Sequence, residues 1–399
     1  MLILQGKYNQ AKVFTNNIEP EACKQVIDLC NQDFAKDSKI RIMPDVHAGK
    51  GCTIGTTMTI HDKVVPNLVG VDIGCGMHVV ILKDNKIDFE KLDKFIYANI
   101  PSGHDIRKKE HPYIPLAKLS ELKCKHHIDM ARAELSLGTC GGGNHFIECN
   151  KSVSGEYYLV VHSGSRHLGK QVAEHYQNIA FNNLSSVSKE EKKKLIDEVK
   201  SQGRHKEIET ELKKLRPRIN KDMAYLEGDY FNAYIHDMKI VQNYAFLNRK
   251  AIVDEIIENI GLTPTEEFTT IHNYIDMENM ILRKGAVSAQ KGEKIIIPMN
   301  MRDGCIIAIG KGNPDWNYSA PHGAGRLYSR SKCRELISLD SFKESMKGIY
   351  STSIGNETLD EAPEAYKPMH EILENIKDTV EIVEIIKPVY NFKRSKTVN

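Results

Sequence analysis

Val69-Gly70-Val71-Asp72-Ile73-Gly74-Cys75-Gly76-Met77 sets a carboxylate and a thiol with two residues between them and frames them with three glycines. Thiolate and carboxylate form a mixed soft and hard ligand pair, and glycine lets the backbone turn tightly around whatever the pair holds. That points to a transition metal. Taken alone, the nine residues are better explained as a glycine-rich strand-to-loop corner whose cysteine is a small buried hydrophobe. The surrounding chain decides between the two.

Outward from this corner, short apolar runs at 40–43, 58–60, 77–82 and 157–161 alternate with glycine turns and predict strands. Helices are expected over 19–31 and 118–135. Residues 188–221 carry interleaved acids and bases, which suits a solvated helical hairpin better than a basic arm gripping RNA. From 223 to 260 the pattern is an amphipathic helix, with Tyr230, Tyr234, Met238, Val241, Ala245, Leu247 and Ile252 on one buried face. Strand runs return at 295–297 and 306–309, and helical patterns follow Ser329 and Lys367. No linker divides the chain. The expected architecture is one large α/β domain over 1–399, with a charged helical insertion at about 185–260.

With 399 residues, 41% of them hydrophobic, the chain can bury a large core. Its nine cysteines are odd in number and never form a Cys-x-x-Cys pair, so neither a disulfide framework nor a zinc ribbon is indicated. A reducing cytoplasm is the expected setting. The first residues lack a basic region with a long apolar core, and no window approaches the roughly 18 apolar residues of a membrane span, so no membrane association is expected. A net charge of +2 makes any basic surface local.

Five further segments frame a histidine with glycine, asparagine, serine or proline. They are Met43-Pro44-Asp45-Val46-His47, Gly143-Asn144-His145-Phe146-Ile147-Glu148, Val161-His162-Ser163-Gly164-Ser165-Arg166, Ile271-His272-Asn273-Tyr274 and Pro321-His322-Gly323-Ala324-Gly325-Arg326. Asp72 and Cys75 with two or three imidazoles supply enough ligands for two adjacent divalent ions, manganese or zinc by ligand type, with the thiol deprotonated. A metal pair suits phosphoryl chemistry because it holds attacking and leaving oxygens in line. The glycines after His322 and before Asn144 allow backbone amides to approach phosphate, with Arg166, Lys284, Arg326 and Lys393 as basic candidates and Arg330 and Arg394 as surface ion pairs. A histidine beside such a nest can be a nucleophile that takes up a phosphoryl group, which singles out His322.

Together with Gly49-Lys50-Gly51, Asn248-Arg249, Arg283-Lys284-Gly285-Ala286, Ala365-Tyr366-Lys367 and Lys393, these segments run in the same order as those of the RtcB family of RNA-splicing ligases, which the chain resembles over nearly its whole length. The resemblance implies the family's own α/β fold and a ligase, dependent on GTP and two Mn2+ ions, that joins RNA 3′-phosphate or 2′,3′-cyclic phosphate ends to 5′-hydroxyl ends. It implies that Asp72, Cys75, His145, His162 and His272 hold the metals, with Cys75 bridging, and that His322 carries the guanylate. Asn144, Glu148, Gly323, Ala324, Gly325, Tyr366 and Lys393 match nucleotide contacts; Arg166, Lys284 and Arg326 match positions near RNA or phosphate. Partners implied are broken RNA, such as tRNA halves, and an archease-type activator.

Two departures stand out. Where the family usually reads Pro-Gly-Ser-Met-Gly followed by a serine, this chain has Pro298-Met299-Asn300-Met301-Arg302-Asp303-Gly304-Cys305, without the small hydroxyl residues expected near the nucleotide. The chain also runs past Lys393 to Asn399, where the family commonly stops at Lys-Gly. Two alternatives to the ligase remain at this level: a dinuclear phosphoesterase acting on RNA ends, and a non-catalytic RNA-end or nucleotide binder.

Overall fold

The computed structural model describes residues 1–186, 189–215 and 219–394. Two mixed layers of sheet and helix dominate it. A six-stranded sheet runs in the order Leu2–Gln5, Gln10–Val13, Ile40–His47, Ile54–Thr59, Ile281–Lys284, Asn273–Asp276, and a seven-stranded sheet in the order Pro264–Ile271, Gly76–Leu82, Tyr157–Ser163, Phe146–Lys151, Val380–Lys393, Gly304–Gly310, Lys294–Asn300. Among the strands of the described residues only Gln10–Val13 and Ile40–His47 pair in parallel, with helix Pro20–Cys30 in the connection between them. The fold is α/β, as expected.

Strands Gly76–Leu82 and Tyr157–Ser163 are buried along their whole length, which explains their unbroken apolar runs. One face, with Val80, Leu82, Leu159 and Val161, packs on Leu92 and Ile96 and on the end of the long helix at Ile252 and Ile256. The other face, with Val79, Ile81 and Val160, meets Ile296, Ile307 and Ile386 from the opposite end of the same sheet. The sheet therefore folds over on itself. Strand Val380–Lys393 links the two halves: its first part pairs with Gly304–Gly310 and its second with Phe146–Lys151, and its register breaks at Pro388. Proline cannot donate to a ladder, so it belongs at such a break.

The quoted glycine-rich corner lies where the chain crosses from the six-stranded to the seven-stranded sheet. A second crossing, at His272 between strands Pro264–Ile271 and Asn273–Asp276, runs beside it. The two are tied together by His272 N–H donating to the Cys75 carbonyl at 2.9 Å and Gly74 N–H to the Asn273 carbonyl at 2.7 Å. Gly76 is required at this seam, since a Cβ there would stand 2.0 Å from the Thr270 carbonyl oxygen.

Helix Gly228–Ile260 lies across the seam and buries Tyr234, Met238, Val241, Ala245, Leu247 and Ile252 as the periodicity predicts. Tyr230, expected on that face, is 46% exposed. The helix also begins later than residue 223, after a 3-10 turn at Lys221–Met223 and the short strand Leu226–Glu227. Its Asn248 and Arg249 are fully buried. Asn248 takes the N–H groups of Gly138 and Thr139 on Oδ1 and donates through Nδ2 to the carbonyls of Thr139 and Gly164. Asn248→Ala leaves those backbone groups unanswered and should cost about 3 kcal/mol in urea unfolding.

The helix expected over 118–135 is not continuous. Lys118 adopts φ 53°, two 3-10 turns follow, and a new helix starts at Met130. The Asp237 carboxylate draws off the N–H groups of Lys123 and Cys124, and Asp129 caps the new helix by accepting Arg132 N–H. Local competition for backbone donors overrides the apolar spacing. The charged stretch forms helices Lys189–Ser201 and Ile208–Leu215. Ser188 and the tail beyond Arg394 lie outside the described residues. Among the described residues no helix is long and apolar enough to cross a membrane.

Candidate active site

Strand pairing brings three of the histidines to the seam. His162, near the end of strand Tyr157–Ser163, stands opposite Met77 on one side and Phe146 on the other, which places it beside both Cys75 and His145. Cys75 Sγ lies 3.3 Å from His162 Nε2 and 3.5 Å from His145 Nε2, and His145 Nε2 lies 3.1 Å from Asp72 Oδ2. The His162 and His272 ring centroids are 5.2 Å apart.

Two potential ligand groups result, Cys75 with His162 and His272, and Asp72 with Cys75 and His145, and within each all ligand atoms fall within 4.8 Å of one another. Cys75 belongs to both. The rings are set for ligation: His145 Nδ1–H donates to the Cys140 carbonyl and His162 Nδ1–H to the Asn144 carbonyl, each at 3.0 Å, which frees Nε2 to point inward. His272 Nδ1 is buried without a partner. These residues fit a pair of divalent cations.

The electrostatics agree with that fit. Burial, then the neighbouring histidines, push His162 and His272 well below the usual imidazole range, so they keep neutral lone pairs. Burial raises the Asp72 carboxyl, but the hydrogen bond and charge of His145, with the contacts to Cys75 and the Ser165 N–H, together outweigh it and hold the group at about 2. Burial pushes the Cys75 thiol well above its ordinary value, so only a bound cation will strip its proton. Arg249 braces the cluster from behind, donating from Nη1 to the carbonyls of Gly74 at 2.8 Å and Ser163 at 2.9 Å.

A cavity of about 480 Å³ opens in front of the cluster. His322, just past strand Ser319–Pro321, faces it with its ring centroid 4.7 Å from that of His272. Asp45 Oδ2 accepts both the His322 ring Nδ1–H at 2.7 Å and its backbone N–H at 3.1 Å. Asp45 is fully buried. Gly323, Ala324 and Gly325 line the same wall, and Gly325 sits at φ +76° with any Cβ only 2.3 Å from the Asp45 carbonyl oxygen. Gly325→Ala should therefore destabilise by about 2–4 kcal/mol and disturb the Asp45–His322 pair, as seen in chemical denaturation and the histidine NMR signals.

At the far end, Glu148 accepts from Asn150 Nδ2 at 2.8 Å and Asn391 Nδ2 at 2.7 Å, and burial pushes its carboxyl up to about 7. Tyr366, Lys393 and Arg326 also line the cavity, and all three meet Glu361: Tyr366 donates at 2.5 Å, Lys393 at 2.8 Å and Arg326 at 3.3 Å. Burial raises Glu361, yet Lys393, Arg330 and Arg326 outweigh it and hold the carboxyl at about 2. A depressed acid stabilises the fold above its unfolded pKa and loses that contribution as pH falls through the folded value. The gap in urea midpoint between wild type and Glu361→Gln should accordingly be full at neutral pH and close between about pH 4.5 and 2.

Asn144 lines the cavity as expected, and so do Met299, Met301 and Cys305 of the departing segment, which forms the turn between strands Lys294–Asn300 and Gly304–Gly310. Two residues expected near RNA or phosphate do not line this cavity. Lys284 is 3% exposed, is committed to the carbonyls of Lys50 and Asn67 at 2.6 and 2.9 Å, and does not line the cavity. Arg166 also lies off the cavity wall, with Nε on Thr139 Oγ1 and Nη2 on the Gly103 carbonyl. Arg330 is exposed and ion-paired with Asp360 and Glu361, as expected, and it also stands at the cavity rim. Asp45, Glu361 and Asn391 had no assigned role in the sequence; only the carboxylate two residues before His47, inside a quoted segment, gave any sign.

Known proteins are similar to this chain over most of its length. The family model described as tRNA-splicing ligase RtcB matches residues 25–122 and 116–394. The RNA-splicing ligase RtcB of Escherichia coli strain K12 is 29% identical over 93% of this chain and 94% of its own length. The tRNA-splicing ligases RtcB of Aeropyrum pernix and Methanococcus maripaludis are 26% and 25% identical, over 86% and 91% of this chain and 84% and 88% of their own lengths. A family match over most of the chain, on a fold that gathers its collinear motifs at one cleft, shows that this protein is an RNA ligase of the RtcB family.

Proposed function

We propose that the chain seals RNA 3′-phosphate or 2′,3′-cyclic phosphate ends to 5′-hydroxyl ends, with GTP as the nucleotide donor, manganese in the paired ligand groups and a guanylate on His322 as intermediate. The observation that carries this reading is the Asp45–His322 pair beside the Cys75-centred cluster within one cavity. With Nδ1–H donated to Asp45, His322 keeps a lone pair on Nε2 for attack.

His322 Nε2 forms a bond to the α-phosphorus of GTP as the bond to pyrophosphate breaks. An oxygen of the RNA 3′-phosphate, formed from a cyclic end by addition of water across its P–O2′ bond, then displaces the histidine, and the 5′-hydroxyl finally displaces GMP, losing its proton. Divalent cations held by Asp72, Cys75, His145, His162 and His272 would neutralise the charge that develops on these phosphates. Asp45 stabilises the imidazole as it becomes positive. Asn144, Glu148, Tyr366 and Lys393 contact the guanylate, with the amides of Gly323, Ala324 and Gly325 near its phosphate, and Arg326 faces the RNA end.

The test is incubation with manganese and GTP labelled on the α-phosphate. Wild type should acquire acid-labile label on the denatured chain, and His322→Ala should acquire none. Unlabelled wild type that still opens a cyclic phosphate would instead establish a phosphoesterase, and no reaction at all a binding protein.

A further inference from the structure

A second cavity, of about 360 Å³, shares no lining residue with the first. It lies on the other side of the metal seam, between helix Gly228–Ile260 and the crossing from strand Pro264–Ile271 to strand Asn273–Asp276. The exposed Lys239 and Asn243 stand at its mouth, and Gln242, Arg249 and Thr270 line it within.

Arg249 is fully buried. One of its nitrogens serves the Gly74 and Ser163 carbonyls; Nε and Nη2 have no partner, and no carboxylate lies within ion-pairing distance among the described residues. Gln242 Nε2 and Thr270 Oγ1 are likewise buried and unpartnered. These four atoms are a third of the twelve such atoms among the described residues, and all four are donors. A buried guanidinium whose nearest negative groups, Asp72 and Cys75, lie beyond ion-pairing distance is unfavourable, as are buried donors without acceptors, and water answers only the second need. The carboxylate that does line the cavity, Glu293, accepts from Ser288 Oγ at 2.5 Å and Gln290 N–H at 3.0 Å.

We infer that this cavity is a second anion site, which takes a phosphate-class oxyanion on Arg249, Gln242 and Thr270. Arg249 would then join two functions through one guanidinium. Its Nη1 holds the carbonyls next to Cys75 and His162, and its remaining N–H groups hold the anion. A free phosphate and a phosphodiester of the RNA strand present the same oxygens to these donors.

Tungstate, a phosphate mimic visible by anomalous scattering, tests the site in crystals of the full chain. The expected result is a peak within hydrogen-bonding distance of Arg249 Nε or Nη2; water alone there at saturating tungstate overturns the inference. Arg249 itself is unsuitable as a variant because it braces the metal loops. Gln242→Met with Thr270→Val removes the other two donors and should weaken tungstate at this cavity about tenfold, while any tungstate in the His322 cavity of the same crystal stays unchanged. Equal affinity in wild type and double variant would overturn the inference. Displacement by an oligonucleotide with 3′-hydroxyl ends identifies the RNA strand as the source, and displacement by inorganic phosphate alone identifies the free ion. Displacement by neither refutes the phosphate-class assignment.

Discussion

Cys75→Ala should remove both metal ions, not one, and take nucleotide labelling and ligation down by at least about 10³-fold. The reason is geometric. Cys75 is the member common to both ligand groups, with its sulfur 3.3 Å from His162 Nε2 and 3.5 Å from His145 Nε2, so losing it leaves two residues in each group. Substituting alanine removes one sulfur atom, a change that costs a core at most about 1–2 kcal/mol, so the protein should remain folded. Metal analysis of the dialysed variant, alongside its urea midpoint, separates the two effects. Cys52→Ala is the control: that cysteine is equally buried but packs in the hydrophobic core, with its sulfur beside the Thr53 and Thr56 hydroxyls, and its variant should keep metal and activity. A Cys75→Ala protein that still bound two ions and labelled normally would refute the ligand assignment.

Asp45→Asn should slow guanylylation by about 10³–10⁴, the usual worth of a carboxylate that orients a catalytic imidazole, while metal content stays at the wild-type level. Asp45 Oδ2 answers two N–H groups of His322, and Oδ1 has no donor at all. An amide placed with nitrogen toward His322 Nδ1 selects the tautomer that has no lone pair on Nε2. Placed the other way, its N–H₂ is buried without an acceptor. In both orientations the charge that stabilises the imidazole during P–N bond formation is lost. The effect should appear in the rate of label incorporation at saturating GTP rather than in the GTP concentration needed for half-saturation. An unchanged rate would mean that the Asp45 contact is structural only.

Asp72 and Cys75 as candidate ligands and His322 as candidate nucleophile stand out in the sequence because each sits in a short, chemically odd setting. Glycine beside histidine or cysteine on a strand end is conspicuous wherever it folds. Basic residues carry no such mark. Lys284 stands in a glycine-flanked basic segment whether its ammonium faces a phosphate or two backbone carbonyls, and the structure gives it the carbonyls of Lys50 and Asn67, 234 and 217 residues away. Helix 118–135 fails for a related reason, since Asp237, more than a hundred residues distant, takes the backbone donors the helix needed. Long charged or polar side chains act at contacts that periodicity does not encode.

The resemblance to the RtcB family supplied the particular ligand set with His145, His162 and His272; by itself the sequence determined the α/β class, the strand runs from 76 to 82 and 157 to 163 within a residue or two, and Asp72, Cys75, a group of glycine-framed histidines and His322 as candidates. Those are local properties of composition and spacing. Only the tertiary structure decided that two chain crossings lie side by side, so that Cys75 and His272 exchange a backbone hydrogen bond, and that Asp45, 277 residues from His322, orients it. It also placed Arg249 between the metal loops and a second cavity. Each of these depends on how sheets pair and fold over one another, and that long-range register is what brings the glycine-framed Asp72 and Cys75 together with His145, His162 and His272 in one cluster able to hold metal.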